Sequence, residues 1–347
     1  MKNNAKKTKK LLPLAVLLAA AALLGILLAV LTRSSTDAAD TTIPLCGFTA
    51  EEIDRLAYSG NNMDVTLLKG STGDWMLDSD PALPLDQAKV TSLVEQYAAL
   101  AALRKLEGSD LAELPEKSAA PQMTITIDAG EKTLALTVDQ LNTVADVYYV
   151  YDESGAAYTV MRSDLATLSK SPRDLYKAQT LTDKTLSDVA AMQVNDLQFT
   201  QTDGSWTLTD DPDYPVSQSS IKKMASTILQ MQTAWTVTAP EADTAYGLDS
   251  PDVTAVLTFT DGTSLTVRFG NAVAAAADGS DGDSLCYLAS DAAPTVVYEV
   301  NADSKLAYAV TKESLYEETA TAETAASDPV AQYPVGGEDD YADSLPE

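Results

Sequence analysis

Asp278, Asp281 and Asp283 fall within six residues of one another, separated by glycines and a serine. Carboxylates clustered on a turn suit a hard cation, because Ca²⁺ collects six to eight oxygen ligands. The spacing is not that of an EF-hand loop, whose twelfth position carries a glutamate, and a solvated turn between two strands accounts for the same residues. These aspartates are the metal candidates of the chain. Catalysis has less to start from. The 347 residues contain no histidine, which removes Ser-His-Asp and Cys-His activation of a nucleophile and the commonest zinc ligand. Two cysteines, Cys46 and Cys286, make neither a disulfide framework nor a structural zinc site; one bridge between them and two unpaired small hydrophobes both stay open. Among 51 acids no spacing singles out a pair for glycosidase chemistry, and no glycine-rich phosphate loop is present. Trp75 and Trp206 could stack on a sugar ring, yet a tryptophan in a strand pattern beside a helix reads as core. No catalytic residue and no cofactor emerges.

Charge narrows the partners. Lys2, Lys6, Lys7, Lys9, Lys10 and Arg33 all precede the first acid, Asp37, so 51 acids face only 17 basic residues over the rest of the chain. Such a surface repels phosphate backbones, which argues against nucleic acid, and it suits solvation, cations or a basic partner.

The elements that must position these residues occur twice. At an offset of 131 residues, Gly73, Trp75, Leu77, Asp80, Pro81, Pro84 and Gln87 recur as Gly204, Trp206, Leu208, Asp211, Pro212, Pro215 and Gln218. A helical stripe follows each signature: Val90, Leu93, Val94, Tyr97 and Leu100 with Asp86 as N-cap, then Ile221, Met224, Ala225, Ile228 and Met231 with Ser217 as N-cap. Period-two runs surround each helix, three before it and four after, separated by Gly, Asp and Asn turns, which suits antiparallel meanders with one buried face. Each copy closes on Leu-Tyr, at Leu175-Tyr176 and Leu315-Tyr316. The expected fold class is α+β: an N-terminal transmembrane helix, then two tandem repeats, each a twisted antiparallel sheet with one main packed helix.

Leu11 to Leu31 is an uncharged run of 21 residues, long enough as a helix to cross the roughly 30 Å hydrocarbon layer. Five lysines precede it and one arginine follows, which places the N-terminus in the cytoplasm. A cleaved signal peptide is the rival, but the small residues Ala38-Ala39 lie well past the apolar run, and Cys46 as a lipid attachment point is preceded by Leu45. The expected organisation is a cytoplasmic lysine-rich segment at 1–10, the transmembrane helix at 11–31, a stalk at 32–48, repeat one at 49–176, a linker at 177–182, repeat two at 183–316, and an acidic, disordered tail at 317–347.

The Trp-x-Leu-x-x-x-Pro signature at Trp75 and Trp206 resembles the bacterial family called domain of unknown function 4340. So does the segment Tyr246-Gly247-Leu248-Asp249-Ser250-Pro251, followed by paired strands ending in Phe269-Gly270. The resemblance covers about residues 49–316; the first copy carries Leu111 to Pro115 and then Pro121 in place of the glycine segment. It implies a membrane-anchored extracytoplasmic protein, often accompanying an ABC-type export or gliding system, and it supplies no catalytic residues.

The expected function is a non-enzymatic, membrane-tethered extracytoplasmic module that is accessory to an ABC-type export or envelope assembly and holds a protein partner, with strand edges open to strand addition if nothing caps them. The alternatives are an extracytoplasmic binding protein for calcium or a cell-wall polymer, and a histidine-free hydrolase.

Overall fold

A computed structural model describes residues 42–60, 63–274 and 284–317. The first unit runs β1 (Ile43–Pro44), β2 (Arg55–Gly60), β3 (Met63–Lys69), β4 (Trp75–Leu77), α1 (Gln87–Ala98), β5 (Ala101–Ala102), β6 (Arg104–Leu106), α2 (Ser109–Ala112), β7 (Met123–Ala129), β8 (Lys132–Asn142), β9 (Val147–Asp152), β10 (Ala157–Met161), α3 (Arg162–Leu168) and α4 (Pro172–Leu175). The second runs β11 (Val189–Val194), β12 (Leu197–Thr202), β13 (Ser205–Leu208), α5 (Gln218–Leu229), β14 (Thr233–Val237), α6 (Asp243–Tyr246), β15 (Val253–Phe259), β16 (Ser264–Ala272), β17 (Leu285–Ser290), β18 (Val297–Asn301) and α7 (Asp303–Leu306). The molecule is mostly β-sheet with few helices, and its two eight-stranded antiparallel sheets fit a two-unit α+β fold.

The two sheets have one topology. Strand order is β4-β3-β2-β7-β8-β9-β10-β6 in the first and β13-β12-β11-β15-β16-β17-β18-β14 in the second, element for element. One irregularity coincides: the register shifts between Val138 and Leu141 in β8, and between Phe269 and Ala272 in β16, again 131 residues apart, while the shifts at Val189–Ala191 and Thr233–Trp235 belong to the second sheet alone. The sequence pattern yields seven strands per unit, and each main sheet has eight. The additional strand, β6 or β14, follows the main helix and pairs with the last strand of its sheet.

Each helix forms along its stripe but ends two residues before the last stripe position, Leu100 or Met231. All ten stripe residues are buried, in one apolar cluster per unit shared with the sheet. Asp86 caps α1 by accepting from the N–H groups of Ala88 and Lys89, and Ser217 caps α5 by accepting from Ser220. Tyrosine hydroxyls tie the closing segments to the core: Tyr97 donates to Leu168 O at 3.1 Å, Tyr58 to Lys170 O at 2.6 Å, and Tyr308 to Met224 O at 2.8 Å.

The first unit starts earlier than the stalk and repeat bounds suggest. Ile43 and Pro44 already pair with Ala102 and Ala101, and Cys46 is buried in the core. The corresponding entry into the second unit is made by the linker, where Thr180 bridges to Gln232 and Leu181 is buried. The apolar run 11–31 and the tail from 318 onward lie outside the described residues; among those described, no helix is long and apolar enough to cross a membrane.

Candidate functional site

The repeated signature is structural. Trp75 and Trp206 are buried, and each lies on an edge strand of its sheet, with its backbone polar groups facing away from the neighbouring strand. The repeated glutamine satisfies them. Gln87 Oε1 accepts from Trp75 N at 2.7 Å and its Nε2 donates to Trp75 O at 2.9 Å. Gln218 does the same for Trp206, at 2.8 and 2.7 Å. A side-chain amide thus stands where a further strand would pair. Asp80 and Asp211 then bridge back to Leu77 and Leu208, turning the chain into the helix. The outer edges at β4 and β13 are therefore closed at the tryptophan, against the strand addition considered above. At the opposite edge of sheet one, β6 is only three residues long and exposes Arg104 and Lys105, a blunted edge.

The buried charged groups are likewise committed. Asp139 accepts from Ser118 N with both carboxylate oxygens, at 3.1 and 3.2 Å. Glu299 is held by Arg173 in a two-pronged pair, at 2.8 and 3.1 Å. These two carboxylates lie in different units and have different partners, so they form no acid–base pair. Burial raises the thiol pKa of both Cys46 and Cys286, which keeps them protonated and unreactive. They are free and sit in separate cores, one per unit.

The glycine segment of the second unit is a packing device. Gly247 adopts a left-handed backbone, φ 68°, beside the Asn271 side chain. A Cβ on Gly270 would stand 2.2 Å from the carbonyl oxygen of Tyr246, so only glycine lets this loop settle on β16. Arg268 fastens it, donating to Leu248 O at 2.6 Å and to Asp243 at 2.9 Å.

Between the units lies a seam that sequence reasoning missed. Tyr176 closes the first unit, and its hydroxyl bonds both Thr233 and Thr236 of β14 at 2.7 Å. Its ring lies 5.3 Å from that of Trp235, and the Arg173 guanidinium lies 4.7 Å from the same Trp235 ring. Thr238 donates to Asp80 across the seam at 2.6 Å. The only signals for it in the sequence are the Leu-Tyr closure and a tryptophan, Trp235, that the first copy lacks. The first copy has Arg104 there. At the far end of the second unit Tyr316, the counterpart of Tyr176, is 53% exposed.

Asp278, Asp281 and Asp283 lie outside the described residues, in the β16–β17 connection, where the first unit has only the short turn 143–146. Among the described residues no group of His, Cys, Asp or Glu is arranged to hold a metal. A hollow of about 500 Å³ lies along α1 between Lys89, Ser92, Gln96 and Lys170. Its one carboxylate, Asp174, accepts from the Ser171 N–H and hydroxyl.

A family model described as a domain of unknown function (DUF4340) matches residues 26–205, more than half of the chain, and the protein belongs to that family. The match takes in the whole first unit and stops at the first residue of β13, so the second unit is joined to the first by shared topology and the internal repeat. The glycine segment at Tyr246–Pro251 lies beyond the matched span. No curated protein and no solved structure matches the chain.

Proposed function

We propose that this protein is a membrane-tethered extracytoplasmic interaction module, accessory to an ABC-type export or envelope assembly. One observation carries the reading: the groups that could do chemistry inside the tandem are spent on holding it together. Glutamine amides seal strand edges, Asp139 and Glu299 are bound within the fold, and the cysteines are buried apart. What remains for function is surface, which is strongly acidic, behind a lysine-flanked apolar run. An acidic field favours a basic partner and speeds its association at low salt.

The test is extraction in mild detergent followed by crosslinking. Co-purification with integral membrane subunits of an export system, without turnover of peptide, glycan or phosphoester substrates, supports the reading. Crosslinking that recovers only this chain, together with hydrolysis lost on changing one carboxylate, overturns it.

A further inference from the structure

We propose that the end of the first unit where the chain enters, carrying Ile43, Leu103 and Val144, lies against the lipid surface of the bilayer; this rests on the anchored reading above. Six large apolar side chains are exposed among the described residues, and three of them gather at this end. Their proximity follows from the pairing. Ile43 is opposite Ala102, and the next residue, Leu103, donates its N–H to Thr159 O at 2.8 Å. Two residues beyond Thr159, Met161 pairs with Val147, and Arg162 N donates to Asp146 O at 3.1 Å. Asp146 ends the β8–β9 turn whose tip is Val144, 97% exposed.

The repeat indicates what belongs there. In the second unit the same face is β14 and β18, and it is covered by what precedes it in the chain: Arg173 and Tyr176 of the first unit lie on Trp235 and bond Thr233, Thr236 and Glu299. In the first unit Arg104 stands at the place of Trp235 and Thr159 at that of Glu299; Thr159 is buried, but Arg104 is exposed, and among the described residues no aromatic or arginine of a preceding unit lies on it. What precedes it is the uncharged run 11–31. Ten residues lie between Leu31 and Thr42, a tether of at most about 40 Å. A membrane therefore stands to the first unit as the first unit stands to the second. The chemistry fits. Apolar tips enter the interfacial layer, and Arg104 and Arg162 are paired with Asp110 and Asp146, neutralising acids that anionic lipid would repel. The opposite end of the tandem, at Tyr316 and Glu317, then points away from the membrane.

The experiment uses the full chain reconstituted in phospholipid vesicles carrying a nitroxide quencher on the headgroup. A fluorophore is placed by Leu103→Cys, Val144→Cys or Glu317→Cys in turn; the two native thiols are buried, and their background is read from the unsubstituted chain. Quenching at positions 103 and 144 at least twice that at 317 is the expected result. Vesicles that retain the chain through carbonate washing yet quench all three positions equally, or 317 most, overturn this proposal and leave the anchor standing. A chain that does not float with the vesicles overturns both.

Discussion

Gln218 reaches back twelve residues and holds both backbone polar groups of Trp206, accepting from its N–H at 2.8 Å and donating to its carbonyl at 2.7 Å. The same pair of bonds joins Gln87 to Trp75. One device thus ends both sheets and fixes each main helix against its edge strand.

Gln218→Ala leaves the N–H and carbonyl of Trp206 without partners at a part-buried edge. The expected loss is about 1–3 kcal/mol by urea unfolding, with faster aggregation as the edge opens. Gln87→Ala should behave alike. A change indistinguishable from wild type in both variants contradicts the edge-cap role.

The seam should make the two units unfold together. Arg173→Ala removes the partner of a buried Glu299 and the cation over Trp235. The Arg173 side chain is half exposed, so the expected loss is modest, about 1–3 kcal/mol. It should appear as a split of one denaturation transition into two, followed by tryptophan fluorescence. A single unshifted transition contradicts the coupling.

Much of this arrangement was legible and some was not, for physical reasons. The helices follow from the 3.6-residue spacing of Val90 to Leu100 and Ile221 to Met231, which local sequence alone displays. The importance of Gln87 and Gln218 was visible as an identity, but their role was not, because an amide replacing a strand is a contact across twelve residues. The strand Arg104–Leu106 is short and lies at an edge, with two charged residues and no alternation, so no period marks it. The start of the first unit was hidden because Ile43 and Pro44 find their partners 59 and 57 residues later. The seam pairs Tyr176 with residues 57 and 60 positions away that the repeat does not share, and periodicity carries no signal of it.

Alkaline pH should weaken the fold through its buried phenols. Burial raises the pKa of Tyr58, with a smaller contribution from Asp174; burial likewise raises Tyr97, and Tyr308 is raised by burial alone. In the unfolded chain tyrosines ionise near about 10. Above that pH the unfolded state sheds protons that the folded state keeps, so the stabilisation is full below about pH 10 and falls as pH rises beyond it. Urea midpoints between pH 8 and 11 should decline, and Tyr308→Phe should decline less steeply. A flat profile, or an unchanged slope in the variant, contradicts this.

Calcium should find no ordered site in the long β16–β17 connection, whose aspartates are separated by glycines and match no EF-hand spacing. Calorimetry on the whole chain and on an Asp278→Ala, Asp281→Ala, Asp283→Ala variant should give equal heats. A saturable heat lost in the variant would assign these residues to a cation.

Membrane tethering with the tandem outside the cytoplasm is tested most directly by adding protease to intact protoplasts that express the full chain. An anchored protein loses everything from about Asp37 onward and leaves a short protected fragment containing the lysine flank and residues 11–31. Release of a soluble mature chain beginning near Asp40, with no fragment kept in the membrane, would contradict the tether.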